Sequence, residues 1–178
     1  YEKQKVNFQE LYSGYKEIDV SSDVIYQLEE EETIPWSEQM NPNEFVVLHS
    51  FNPDVSTIAR YRHEDNSLHR VAPHTEPVCG IYALNEQQQI AFDLLLDDSV
   101  SLVSMVGKAG TGKTLLAIAT GLKKVLEEAS YSRVLVSRPV IPMGKDIGFL
   151  PGDKEEKLSH WMQPLFDNLE YILSVYKR

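Results

Sequence analysis

Apolar residues follow two different rhythms along this chain, and the change falls near its middle. The first half is built from short elements. Ser21-Ser22-Asp23 offers a helix N-cap, and Val24, Ile25 and Leu28 follow at helical spacing. The acidic run Glu29–Glu32 reads as the solvated end of that helix and a loop. Asn41-Pro42-Asn43 is a turn signal, and Phe45–Phe51 after it is rich in strand formers. Thr57–Arg62 and Ser67–Val71 flank the polar stretch His63–Asn66, which is the pattern of a β-hairpin. Pro73–Gly80, with its two prolines and terminal glycine, reads as a linker. The expectation is a β-rich connector module with one helix over residues 1–80 and a second domain over residues 81–178.

Longer periods take over beyond that point. Asn85 can cap a helix running through Gln88, Ile90, Ala91, Leu94 and Leu95, with Asp97-Asp98 ending it. The run Val100–Val106 is short, apolar and rich in β-branched residues, as a buried parallel strand is. A helix is expected from about Lys113 to Ala129, with Leu115, Leu116, Ile118, Ala119, Leu122 and Leu126 on its apolar face. Val134–Ser137 reads as a second buried strand, stopped by Arg138-Pro139. Strand, helix and strand over this distance predict a βαβ unit and an α/β fold. Gly144–Gly152 is a loop punctuated by glycine and proline. A last helix is expected over Lys154–Tyr176, with Trp161, Leu165, Leu169 and Ile172 on one face and a kink or split at Pro164.

Composition narrows the classes. The chain has 178 residues, 42% of them hydrophobic and 25% charged, which suits a globular protein with a real core. No apolar run approaches the roughly 20 residues of a membrane-spanning helix, and there is no basic and apolar leader. The single cysteine, Cys79, excludes an internal disulfide, and a cytoplasmic location is the expectation. The five histidines stand at 49, 63, 69, 74 and 160 without metal-ligand spacing. The net charge of −10 sits mostly in the first eighty residues, which hold 15 acidic and 6 basic side chains. Any contact with nucleic acid would therefore need a local basic patch in the second half.

One motif carries chemistry. Gly107-Lys108-Ala109-Gly110-Thr111-Gly112-Lys113-Thr114 fits G-x-x-x-x-G-K-[ST] at every position, between an expected strand and an amphipathic helix. Glycines let the backbone wrap a phosphate chain through conformations that a β-carbon would forbid. The N–H groups from Gly110 to Thr114 would point inward as an anion nest, reinforced by the helix dipole. Lys113 would reach the β- and γ-phosphates, as the residue closest to catalysis, and Thr114 would offer its hydroxyl to Mg²⁺. The expected ligands are thus ATP and Mg²⁺. Gln88 lies about twenty residues upstream and could read adenine through its paired donor and acceptor, or stand in solvent as part of a glutamine run. Arg138 falls where open α/β sheets bind ligands. Lys145 and Asp146, in the loop beyond, could meet nucleic-acid phosphates, a neighbouring subunit or each other.

The words LNEQQ, GKAGTGKTLLAIATGL, SRPVIPMGKDIGFLPGDKEEKL and WMQPLFDNLE, between Leu84 and Leu169, resemble PhoH-like P-loop ATPases. The resemblance implies a partial RecA-like P-loop NTPase core, binding of ATP and Mg²⁺, and a ring-shaped homo-oligomer in the cytoplasm. It also implies RNA unwinding or processing in members that carry a PIN nuclease domain. Residues 1–80 resemble, more loosely, the connector between that nuclease and the ATPase. On this resemblance Lys113 and Thr114 take the phosphate and metal roles, and Gln88 matches the adenine-reading glutamine. The Walker B acid has no counterpart after Thr114, because Glu127-Glu128 and Glu155-Glu156 fall in expected helices. With Tyr1 in place of an initiator Met, the expectation is an internal segment. Two readings stand: the ATP-binding part of an RNA-directed ATPase, or a nucleotide-binding and assembly module without hydrolysis of its own. A small-molecule kinase would share only the glycine loop.

Overall fold

A computed structural model of the chain describes residues 14–51, 55–73, 75–137 and 154–176, the last stretch by backbone alone as far as residue 161. The chain divides into two compact units, Tyr1–Pro73 and His74–Arg178. Together they make a mixed α/β protein.

The first unit is a five-stranded sheet with one helix. Strands β1 (Tyr15–Val20), β2 (Thr33–Pro35), β3 (Phe45–Ser50), β4 (Ser56–Arg62) and β5 (Ser67–Arg70) lie in the order β1-β3-β4-β5-β2. Helix α1 (Ser22–Glu31) follows β1. It begins at Ser21, where the sequence places its cap, and Glu32 ends it in a left-handed conformation at φ 60°. β1 pairs parallel with β3, and the remaining pairs are antiparallel. The expected hairpin is β4–β5, with Tyr61 opposite Leu68. The turn at Asn41–Asn43 is also present, closed by the Glu44 N–H donating to the Asn41 carbonyl at 3.0 Å. Ile25 and Leu28 of α1 pack with Val46, Leu48, Ala59 and Tyr61 to form the core. Alternation puts Phe45 and Val47 on the opposite face of β3, and both are buried as well. There Arg60 is held by the Asn43 Oδ1, at 3.1 and 2.6 Å, over the ring of Phe45. β1 and β2 were not expected from the sequence. β1 does alternate in burial, whereas β2 spans three residues and ends in proline.

The second unit has three described helices, α2 (Glu86–Leu96), α3 (Lys113–Leu126) and α4 (Lys154–Tyr176). Their core includes Phe92 from α2, Leu116 and Ala119 from α3, and Ile172 from α4. Val78 and Cys79, expected in a linker, are buried in this same core. Gly80 next to them has φ +82°, and a β-carbon there would stand 2.8 Å from Val175 Cγ2. Helix α4 is continuous through Pro164 rather than split.

The expected βαβ unit is not formed among the described residues. Neither Val100–Val106 nor Val134–Ser137 is a strand, and Leu102 and Leu135 are 83% and 81% exposed. β-branched composition supplies a preference, but a strand exists only through the ladder that satisfies its backbone. No described residue supplies that ladder to either run. Val134 instead lies against α3, close enough that a β-carbon at Gly121 would be 3.1 Å from its Cγ2. The expected sites at Arg138, Lys145 and Asp146 lie outside the described residues. No described helix is long and apolar enough to cross a membrane.

Candidate functional site

The loop Gly107–Gly112 opens directly into α3, as its sequence requires. Gly110 and Gly112 have φ +80° and +87°, a region that side-chain-bearing residues rarely enter. Space around a β-carbon at Gly110 is open, so conformation alone calls for glycine there. At Gly112 both constraints act, because a β-carbon would sit 3.2 Å from Gln88 Nε2. Gly112 also starts the helix, its carbonyl accepting from the Leu116 N–H at 2.9 Å. Helix α3 is 14 residues long and has no acidic residue in its first turn, so nothing on the helix neutralises the positive end of its dipole.

Lys113 folds back over the loop. Its Nζ donates to the carbonyls of Gly107 at 2.9 Å and Lys108 at 2.6 Å, and to Thr111 Oγ1 at 3.1 Å. The Thr111 hydroxyl donates in turn to the Lys108 carbonyl at 3.0 Å. The three ammonium protons are thus matched by three oxygens of the loop. Lys108, Ala109 and Thr114 are exposed, with Thr114 in the first turn of α3. Chemically this is a cationic, glycine-lined cradle at a helix N-terminus, which suits an anion with several acceptor oxygens. A hydroxyl beside it is a hard oxygen donor of the kind Mg²⁺ takes.

Gln88 belongs to the same neighbourhood. Asn85 caps α2 by accepting from the Gln88 N–H at 2.9 Å. The Gln88 Oε1 accepts from the Leu84 N–H at 2.8 Å, and its Nε2 donates to the Thr111 carbonyl at 3.4 Å. Of the residues singled out in the sequence, the structure therefore brings together Gln88, Gly107, Lys108, Thr111, Gly112 and Lys113. It does not bring Glu127 to them, since that residue caps the far end of α3, roughly 20 Å of helix away. Sequence reading missed the clamp behind the site. Buried Lys124 of α3 donates to the Leu96 carbonyl at 3.0 Å and pairs with Asp98 at 2.5 Å. That ties the end of α2 to α3. In the sequence Lys124 follows Thr120 and Gly121 at helical spacing, off the stripe of Leu115, Leu122 and Leu126, so nothing there marks it as a clamp.

The fold and site define a mixed α/β protein with a glycine loop mounted on a helix. Residues 80–177 match the family model described as "PhoH-like protein". The chain is 39% identical to "Protein PhoH2" of Bacillus subtilis over 97% of this chain and 40% of that protein. It is 47% identical to "Protein PhoH2" of Mycolicibacterium smegmatis, over 54% of this chain and 22% of that one. A "PhoH-like protein" of Bacillus subtilis is 39% identical over 40% of this chain and 22% of its own length. No solved structure matches. The chain belongs to the PhoH-like family and spans about 40% of the length of the Bacillus subtilis PhoH2 it matches.

Proposed function

We propose that the Gly107–Thr114 loop binds the phosphates of Mg-ATP, and that the chain is the nucleotide-binding segment of a longer PhoH-like P-loop ATPase. The observation that carries this is the pair of left-handed glycines at the start of α3, with the Lys113 ammonium drawn over three loop oxygens. On binding, phosphate oxygens replace those loop oxygens as partners of Lys113, and the N–H groups of the loop and first helical turn take up the remaining charge. Thr114 would hold Mg²⁺ through its hydroxyl, and the ion would supply neutralisation of phosphate charge there. On the resemblance, Gln88 is the residue that would read adenine. The coupling to RNA unwinding or processing, the PIN-bearing architecture of the longer protein, the cytoplasmic setting and the ring-shaped homo-oligomer rest on the resemblance of Leu84–Leu169.

A second reading, binding and assembly without hydrolysis, is favoured by one observation. The Glu127 carboxylate lies at the opposite end of α3 from the loop and hydrogen-bonds with Lys123, not with any loop residue. Calorimetry with Mg-ATP, followed by phosphate release on the same sample, separates the two. The expected outcome is binding that Lys113→Ala weakens by more than about tenfold, since a charge-assisted bond to phosphate contributes more than a neutral one. Unchanged affinity in Lys113→Ala would remove the loop as the site. Binding without release supports the module, and release abolished by Lys113→Ala supports the ATPase.

A further inference from the structure

We infer that Gln88 is a positioning residue that holds the phosphate loop in shape, so that base recognition and loop geometry are coupled through one side chain. The inference rests on the nucleotide-binding reading of the loop and extends it.

Both ends of the Gln88 amide are engaged within the protein. The Oε1 accepts from the Leu84 N–H at 2.8 Å, on the segment leading into α2. The Nε2 donates to the Thr111 carbonyl at 3.4 Å and lies 3.2 Å from where a β-carbon of residue 112 would stand. The backbone position of Gln88 is itself fixed by the Asn85 cap. Thr111 is also the residue whose hydroxyl accepts from Lys113 and donates to the Lys108 carbonyl. Gln88 therefore sits one residue from the cation that meets the phosphates, and it covers the left-handed glycine that turns the loop into α3.

An amide reads adenine with one donor and one acceptor, and Leu84 and Thr111 each take one of the two bonding sites at either end of the Gln88 amide. A base that takes the remaining donor and lone pair shares the side chain with the Leu84 and Thr111 bonds. Loss of the side chain consequently weakens ligands that have no base at all, which a residue that only reads the base would not do.

The test is calorimetry on the full chain with Mg²⁺ and three ligands: ATP, GTP and inorganic tripolyphosphate. The variants are Gln88→Ala and Gln88→Glu. Gln88→Glu keeps an acceptor for the Leu84 N–H but has no donor for the Thr111 carbonyl. The expected result is that both variants lose about three- to tenfold in tripolyphosphate affinity as well as in ATP affinity, the scale of one intramolecular hydrogen bond. Loss confined to ATP, with tripolyphosphate unchanged, would overturn the positioning role and leave a base reader. If the unaltered chain binds none of the three, the nucleotide reading fails instead. Amide exchange at Gly112 and Lys113 in the ligand-free chain then decides the positioning role. Faster exchange in Gln88→Ala supports it, and unchanged exchange overturns it.

Discussion

Cys79 shows how far one residue's surroundings can be read as chemistry. It takes a left-handed φ of 46° and is 1% exposed in the core of the second unit. Burial pushes its thiol up to about 11, and the Glu127 carboxylate, which accepts from Sγ at 3.6 Å, adds to the effect. A pKa raised on folding favours the protonated, folded form. The contribution is fully present below the ordinary thiol value of 9.0 and is lost as pH rises through about 11. Chemical denaturation of the chain across that window should show stability falling with pH, and Cys79→Ala should flatten the fall. An equal slope in the variant would assign the loss to other groups. The same burial predicts slow modification of Cys79 by thiol reagents at neutral pH and fast modification once the chain is unfolded. Asp65 illustrates the opposite direction. The Ser67 hydroxyl, donating at 2.5 Å, lowers its carboxyl below the usual value, and His69 assists.

Elements whose signals are local were legible in the sequence. Asn85 is followed by a helix because its side chain captures the Gln88 N–H, and Ser21 marks the start of α1. The β4–β5 hairpin was legible because its turn lies between its two strands. Val100–Val106 and Val134–Ser137 failed as strands because pairing is a property of neighbours and is not written into the run itself. β2 escaped notice because three residues carry no period. In the site, the glycine loop and Lys113 were legible from residue types and spacing, whereas the hold of Gln88 on Thr111 depends on how α2 packs against α3. Lys124 belongs to this same level, since it joins two helices through Leu96 and Asp98. Lys124→Ala leaves the half-buried Leu96 carbonyl without this donor, so thermal unfolding should reveal a loss of about 1 kcal/mol. Lys124→Arg should recover part of it. A midpoint unmoved by Lys124→Ala would mean that the clamp contributes nothing to stability.

For the molecule as a whole, charge and apolar surface are unevenly shared. The first eighty residues carry most of the net charge of −10, while Leu102, Val106 and Leu135 of the second unit are among the most exposed large apolar side chains. Large apolar side chains exposed this fully are candidates for contact with other apolar groups. The folded chain should bind a hydrophobic dye such as anilinonaphthalene sulfonate. Replacing Leu102 and Leu135 together with lysine should reduce that fluorescence. It should move the thermal midpoint very little, because exposed substitutions typically stay within about 0.5 kcal/mol. A large drop in midpoint would show that these side chains are buried in solution.

The three bonds that Lys113 makes to its own loop have a consequence for selectivity. The Lys113 ammonium is already satisfied by its own loop, so a ligand would gain it by exchange. Each bond to a charged phosphate oxygen would be stronger than the neutral loop bond it replaces. Sulfate or a single orthophosphate brings one compact tetrahedron to that exchange, whereas a polyphosphate tail offers oxygens along its whole length. Under the proposed nucleotide reading, the loop's own oxygens would thus favour ligands that offer many oxygens over those that offer few.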